Sequence, residues 1–357
     1  MTELVGVLGG AGAVGRVTVD RLAAAGHPVR VGGRDLARAK AVSGAADAVR
    51  VDLADAAALA AFCAGCAVVV NCAGPSYQVL DTVARAALAA GAGYVDAAGD
   101  AVAMDALTDG LPAGLARLPA VFSAGLMPGL SGLLPRLLAD AGPIGRLDVY
   151  VGGAVEIGPL SAMDALLTRG PRFGHALAAW RDGRIAEHAL GPLRSVTLPG
   201  FLGRVHAWPF LSTEMVRLAG AFGVAELRSY TVYATENLPA VLAAAWADTG
   251  PVAAHVGAVV DAARRDVEES GRYYAVLANA RPLAGSGGTS RRVLLRTPDS
   301  YELSGVVAAA AAAEILAGRV PAGVHHAADV LDPHRTAALL DADDLVTGLE
   351  LPTPKDH

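Results

Sequence analysis

Val5-Gly6-Val7-Leu8-Gly9-Gly10-Ala11-Gly12-Ala13-Val14-Gly15 is the stretch on which the fold turns. A short apolar run leads without a break into G-x-G-x-x-G, and a helix-forming segment, Val17–Ala25, follows. Each glycine has a physical reason to be there. Gly10 permits a tight turn, Gly12 leaves bare backbone where a pyrophosphate can approach, and Gly15 lets the helix close on the strand. Ala13, Val14 and Gly15 open that helix and turn their N–H groups towards the phosphates. The motif alone is weak, but behind a first strand and ahead of a helix it predicts a dinucleotide-binding loop.

Outward from the loop, strand-like and helix-like segments alternate through residue 124. Val29–Val31, Val49–Val51, Ala67–Asn71, Tyr94–Ala97 and Ala120–Ser123 read as strands; Leu36–Val42, Ala56–Cys63 and Val79–Ala90 read as helices. Unbroken apolar strands between helices predict an α/β Rossmann fold, a doubly wound parallel sheet covered on both faces. After Gly125 the rhythm changes. Leu130–Ala141 reads as a helix and Leu147–Gly152 as a strand, and aromatic residues become frequent from Phe173 to Tyr233. This predicts an α+β domain over 125–301 for substrate and dimerisation, inserted into a Rossmann domain of residues 1–124 plus about 302–357. The alanine-rich helix Ser304–Leu316 is expected to return the chain to the first domain.

The end of the second strand selects the cofactor. A carboxylate about 20 residues after the glycines would hold the ribose 2′-OH of NAD. Here the sequence is Val31-Gly32-Gly33-Arg34-Asp35. Small residues leave room, and Arg34 can pair bidentately with a 2′-phosphate, so NADPH is expected over NADH. Arg34 as a solvated turn residue is the plainer alternative, and Asp35 suits the N-cap of the next helix. Asp52 can reach the adenine amino group or cap a helix. Asn71-Cys72-Ala73-Gly74-Pro75 ends the fourth strand at the level expected for the nicotinamide ribose.

Composition narrows the partners. Net charge is −6 without a basic block, which argues against nucleic acid. No apolar run approaches the roughly 20 residues a spanning helix needs. Met1-Thr2-Glu3 leads straight into a strand with no basic leader, so a cytoplasmic protein is expected. Lys40 and Lys355 are the sole lysines, which disfavours a lysine base or Schiff base. Cys63-Ala-Gly-Cys66 lacks a second pair or a histidine at metal spacing, so no metal is expected.

These segments together resemble the saccharopine dehydrogenase-like (saccharopine reductase-like) oxidoreductases. The resemblance runs through the glycine motif, Gly33-Arg34, Asn71–Pro75, Tyr94-Val95-Asp96 with Gly99-Asp100, Gly125-Leu126-Met127-Pro128-Gly129-Leu130 and Pro321–His325. It is dense to about residue 140 and thin through the middle. It implies hydride transfer between NAD(P)H and an imine or amine carbon, with relatives that reduce activated C=C bonds. Amino-acid-handling members have G-x-D-P-G where this chain has Gly125-Leu126-Met127-Pro128-Gly129. A thioether cannot pair with an ammonium ion, and Met127 suits an apolar substrate instead.

A proton donor near the accepting atom is expected, although solvent can serve. Tyr77, Asp100 and Tyr233 are the candidates, with His206, Glu214 and Glu236 also ionisable among the middle-domain aromatics. Met127, Pro128, Gly129, His175 and Trp208 are expected to line the substrate, and Arg169, Arg172 or Arg204 to meet an anionic group. Each of these also has an ordinary packing or surface reading. The expectation is an NADPH-dependent reductase of a C=N or activated C=C bond in a moderately apolar metabolite, free or carrier-bound, acting as a homodimer. An oxidative NADP-dependent amino- or hydroxy-acid dehydrogenase and a non-catalytic dinucleotide-binding redox sensor are the alternatives.

Overall fold

The computed structural model describes residues 3–110, 115–139, 142–168 and 170–352. Along the first part run β1 (Val5–Leu8), α1 (Ala13–Ala24), β2 (Val29–Gly33), α2 (Leu36–Lys40), β3 (Ala45–Arg50), α3 (Ala56–Cys63) and β4 (Val68–Asn71). They continue with α4 (Ser76–Val79), α5 (Thr82–Ala89), β5 (Gly93–Asp96), α6 (Ala101–Thr108) and β6 (Pro119–Phe122). The strands pair in parallel in the order β6-β5-β4-β1-β2-β3. Chain order reverses between β1 and β4, so the carboxyl ends of these two strands flank a crevice. Val5, Val7, Val68, Val69, Val70 and Val121 are fully buried, as strands covered on both faces must be. The helix expected over 79–90 is two helices, broken at Leu80, whose φ is 46°.

The second part contains α7 (Leu130–Leu133), a 3₁₀ turn over Leu134–Leu138, β7 (Ile144–Ala154), α8 (Pro159–Leu167), β8 (Gly174–Ala176), β9 (Ala179–Arg181) and β10 (Arg184–Ala186). Then follow β11 (Leu193–Val196), β12 (Val205–Ser212), α9 (Thr213–Phe222), β13 (Glu226–Tyr233), α10 (Asn237–Ala247), α11 (Val256–Ser270), β14 (Tyr273–Pro282) and β15 (Arg291–Thr297). The expected helix over 130–141 stays short because Pro135 has no N–H to continue the ladder; residues 140 and 141 lie outside the described ones. The sheet is mixed: β13 and β7 are parallel, while β7 and β14, β14 and β15, and β12 and β13 are antiparallel. Val205, Ala207, Tyr230, Val232, Leu277 and Leu294 form one apolar layer beneath Phe201, and α8, α10 and α11 pack around Leu166, Leu242 and Val259.

The chain then returns through α12 (Ser300–Leu316), β16 (Gly323–His326) and α13 (Ala327–Val330). β16 adds a seventh parallel strand beside β6. α12 lies close on α1: a Cβ on Gly305 would come within 2.4 Å of the Val14 carbonyl oxygen. Thr18 Oγ1 donates to that same carbonyl at 3.0 Å and to Gly305 O at 3.2 Å. The last elements, α14 (Pro333–Asp341) and β17 (Gly348–Glu350), depart from the expectation that 302–357 all belongs to the first domain. β17 pairs antiparallel with β15, Leu295 opposite Leu349. The chain accordingly divides into Met1–Leu130 with Tyr301–Asp332, and Ser131–Ser300 with Pro333–His357.

Candidate functional site

The glycine loop joins the end of β1 to α1. Gly9 N donates to Gly32 O at 2.8 Å, and Gly12 N donates to Gly9 O at 2.9 Å, which folds the loop back on the sheet. The tight turn expected at Gly10 falls one residue earlier. The left-handed turn residue is Gly9, at φ 77°, and Gly10 is small because a Cβ there would stand 2.8 Å from Val31 Cγ1. Gly15 plays the part expected of it: a Cβ would lie 2.3 Å from Gly9 O and 2.5 Å from Gly10 Cα. Gly12 is the exposed N-cap of α1 and has no side chain to satisfy the first-turn N–H groups. Those N–H groups, which include Ala13 and Val14, are available to a pyrophosphate, so the loop fits a dinucleotide.

On the adenosine side, Arg34 is exposed at the end of β2 and makes no hydrogen bond or ion pair among the described residues. Asp35 is the N-cap of α2, accepting from Ala37 N at 3.0 Å and Arg38 N at 3.1 Å. Asp52 is exposed and accepts from Ala54 N at 3.1 Å within a turn. The N-cap of α3 is instead Asp55, which holds Ala57 N and Ala58 N.

The carboxyl ends of β4, β5, β6 and β16 each present a buried polar residue: Asn71, Asp96, Ser123 and His326. Asp96 is the hub. Tyr94 Oη donates to its Oδ2 at 2.5 Å and Asn71 Nδ2 donates to the same oxygen at 3.1 Å. Its Oδ1 takes Ala98 N at 3.0 Å and Gly99 N at 2.6 Å. Burial, and then the Asp96 charge, push the Tyr94 phenol well above its usual range. Ser123, at φ 58°, places its Oγ 3.2 Å from Gly99 O and 3.1 Å from His326 Nδ1. Sequence reasoning missed Ser123 and His326, though a polar residue closing each apolar strand was a signal for them.

On this rim, Asn71 Oδ1 accepts from Ala73 N at 3.1 Å, and the Gly74–Pro75 peptide is cis. The Cys72 thiol lies 3.7 Å from Thr18 Oγ1, and burial pushes it up to about 12. Tyr77 lies half-buried on α4, just beyond this turn. Asp100 is the N-cap of α6, accepting from Val102 N at 3.0 Å; burial raises its carboxyl above the usual range. Past β6, Gly125 and Gly129 bridge across a turn containing the cis Met127–Pro128 peptide. Met127 is 48% exposed at the tip of that turn. A Cβ on Gly129 would lie 2.1 Å from Gly125 O.

The remaining candidates belong to the second unit. Tyr233 sits on β13 opposite His206, and burial, with Asp266 second, pushes its phenol up to about 12. His175 Nδ1 lies 2.7 Å from Glu187 Oε1, and Trp208 supports the Arg194 guanidinium 5.2 Å from its ring centre. Glu214 is buried at the start of α9 and accepts from Ser131 Oγ at 2.5 Å. Arg204 Nε donates to Ser195 Oγ at 2.7 Å and Arg172 is exposed, while Arg169 and Lys355 lie outside the described residues. Among the described residues no group of three or more His, Cys, Asp or Glu could hold a metal ion, and no helix is long and apolar enough to cross a membrane.

Residues 5–111 match the family described as saccharopine dehydrogenase NADP binding domain. No curated protein matches the sequence. Among solved structures, apo saccharopine dehydrogenase (L-Glu forming) from Saccharomyces cerevisiae is 16% identical with a TM-score of 0.68, over 99% of this chain and 100% of that one. At that identity the likeness shows the fold. Uronate dehydrogenase from Agrobacterium tumefaciens is 31% identical over 27% of this chain and 41% of that one, at a TM-score of 0.24. A myo-inositol dehydrogenase from Corynebacterium glutamicum is 10% identical over 90% of each chain, at 0.47. With the glycine loop and the family match over residues 5–111, the first unit carries a saccharopine dehydrogenase-type NADP-binding domain, and the chain shares its fold along the whole length with saccharopine dehydrogenase.

Proposed function

We propose that the protein is an NADPH-dependent reductase acting on a C=N bond, or an activated C=C bond, of a moderately apolar small molecule. The single observation that carries the substrate reading is Met127, half-exposed at the tip of the turn after β6. A thioether there offers soft apolar contact and no charge partner for an ammonium group.

When bound, the cofactor supplies the hydride. The chain's residues do the rest. The first-turn N–H groups of α1 hold the pyrophosphate. Arg34, which has no partner of its own among the described residues, pairs with the 2′-phosphate. The Asn71–Pro75 turn, stiffened by the Asn71–Asp96 hydrogen bond, frames the nicotinamide end. Of the acids considered, Asp100 suits proton delivery best: it lies on the same rim, and burial raises its carboxyl above the usual range. Tyr233 holds its proton too tightly to give it up readily at neutral pH.

The test is loss of NADPH absorbance with a panel of cyclic imines and enoyl compounds, against α-keto acids with ammonia as the contrasting set. Met127→Asp should raise KM for apolar acceptors about tenfold or more, with kcat less affected. Turnover of the amino-acid set alone would favour the oxidative dehydrogenase reading. The redox-sensor reading has one observation in its favour, since Asp100 already serves as a helix cap; any catalytic turnover excludes it.

A further inference from the structure

The loop over residues 97–100, between β5 and α6, ends in Asp100, and the three residues before Asp100 are each fastened. Ala97 N donates to Asn71 O at 3.1 Å, and Asp96 Oδ1 takes the N–H groups of Ala98 and Gly99. Gly99 lies so close on that carboxylate that a Cβ would stand 2.7 Å from Asp96 Cγ. The Gly99 carbonyl turns to Ser123, whose N–H donates to it at 2.7 Å and whose Oγ lies 3.2 Å away. Two residues further on, a Cβ on Gly125 would come within 2.4 Å of the Ala97 carbonyl oxygen.

Ser123 meets Gly99 from a left-handed backbone, φ 58°. A residue with a side chain keeps that conformation only where its surroundings hold it. His326, the last residue of β16, is the side chain that meets it, with Nδ1 3.1 Å from Ser123 Oγ. Both residues are buried, at 2% and 6% exposure. The two strands do not need this contact to pair, since β16 and β6 are already in register as far as His326 and Phe122. A buried imidazole also carries a desolvation cost that an apolar side chain would not, so its polar contact is what sets it apart.

We infer that His326 is a positioning residue for Asp100: through Ser123 it clamps the Gly99 carbonyl and so sets where the Asp100 carboxyl stands on the rim. This rests on the reading of Asp100 as the proton donor. Asp96 completes the support, because its Oδ1 holds the Asp100 loop while its Oδ2 holds Asn71, the first residue of the turn at the nicotinamide end. Burial is the first cause of the raised Asp100 carboxyl, and the Asp96 charge adds to it. A clamp that keeps the loop down therefore also keeps that carboxyl from its ordinary value.

The experiment compares full-length wild type, Ser123→Gly, His326→Leu and His326→Asn, with thermal melting as a check on folding. Glycine keeps the left-handed backbone without strain and removes only the hydroxymethyl group. Asparagine at 326 keeps a hydrogen-bonding group. One readout is the Asp100 titration by carboxyl-carbon NMR, its signal assigned by its absence in Asp100→Asn. The other is NADPH oxidation with the acceptor that wild type reduces fastest. In Ser123→Gly and His326→Leu the Asp100 pKa should fall towards 3.8, and kcat should drop about tenfold with KM and NADPH affinity within about twofold. His326→Asn should recover most of both. An Asp100 titration unmoved in Ser123→Gly and His326→Leu would overturn the inference alone. So would kcat and NADPH affinity falling together, because the pair would then merely brace β16 against β6. Full turnover by Asp100→Asn would overturn the proton-donor reading and the inference with it.

Discussion

Two residues test the local account directly. Gly15→Ala places a methyl group 2.3 Å from the Gly9 carbonyl oxygen, backbone against backbone, with no flexible side chain to yield. Calorimetric melting should show a loss of about 1–3 kcal/mol, and the dinucleotide should no longer bind. Asp100 gives a pH signature. Burial raises its pKa above 3.8, so just above that pH the folded chain holds more protons than the unfolded one. Stability from this group is therefore complete in acid and lost as pH rises through the folded pKa. Asn caps a helix as well as Asp does. Asp100→Asn should gain Tm over wild type at pH 7, and the gain should shrink towards pH 4; a gain that grew in acid would reverse the sign of the argument. The same variant should lower kcat about a hundredfold with NADPH affinity retained, if Asp100 supplies the proton. Legibility at this scale was uneven. The places of Gly12 and Gly15 follow from motif spacing, but three glycines at 9, 10 and 12 do not say which one turns left-handed. Ser123 and His326 were invisible as a pair because 203 residues separate them.

At the scale of elements, periodicity located what local sequence controls. Ala56–Cys63 has the boundaries its pattern predicts, and the elements expected at Leu36–Val42 and Ala67–Asn71 fall within two residues of theirs. What it missed are strands defined only by a distant partner: β12, whose Val205–Ser212 contains Pro209, and the three-residue strands β8, β9, β10 and β17. The tail shows the cost of that. Its docking depends on the free edge of β15 and on Leu340, fully buried in α14. Leu340→Ala should cost about 2–5 kcal/mol in the melting of the second unit, with NADPH affinity of the first unit unchanged. Affinity falling in parallel would tie the tail to the first unit instead. The CxxC segment closes α3 on buried thiols: burial pushes Cys63 up to about 12 and also raises Cys66. With Cys72 likewise at about 12, the folded protein should resist iodoacetamide at pH 8 and take up three labels once unfolded. Rapid labelling of any one thiol in the folded chain would contradict that.

For the molecule as a whole, the parallel sheet and its glycine loop were legible because each step is local: an apolar strand, a turn, a helix. The last strand of that sheet and the division of the tail were not, since both depend on where the chain returns after about 170 intervening residues. The same holds for chemistry. The cofactor is read from contiguous residues, whereas the substrate must be read from side chains scattered through the chain. The central claim is that the first domain binds NADP(H) through the glycine loop and chooses it through Arg34. Titration calorimetry of NADPH and NADH with wild type and Arg34→Ala tests that claim most directly. The account predicts tighter binding of NADPH, with about 1–3 kcal/mol of that preference lost in the variant. Equal affinity for the two nucleotides in wild type, or no binding of either, would contradict it.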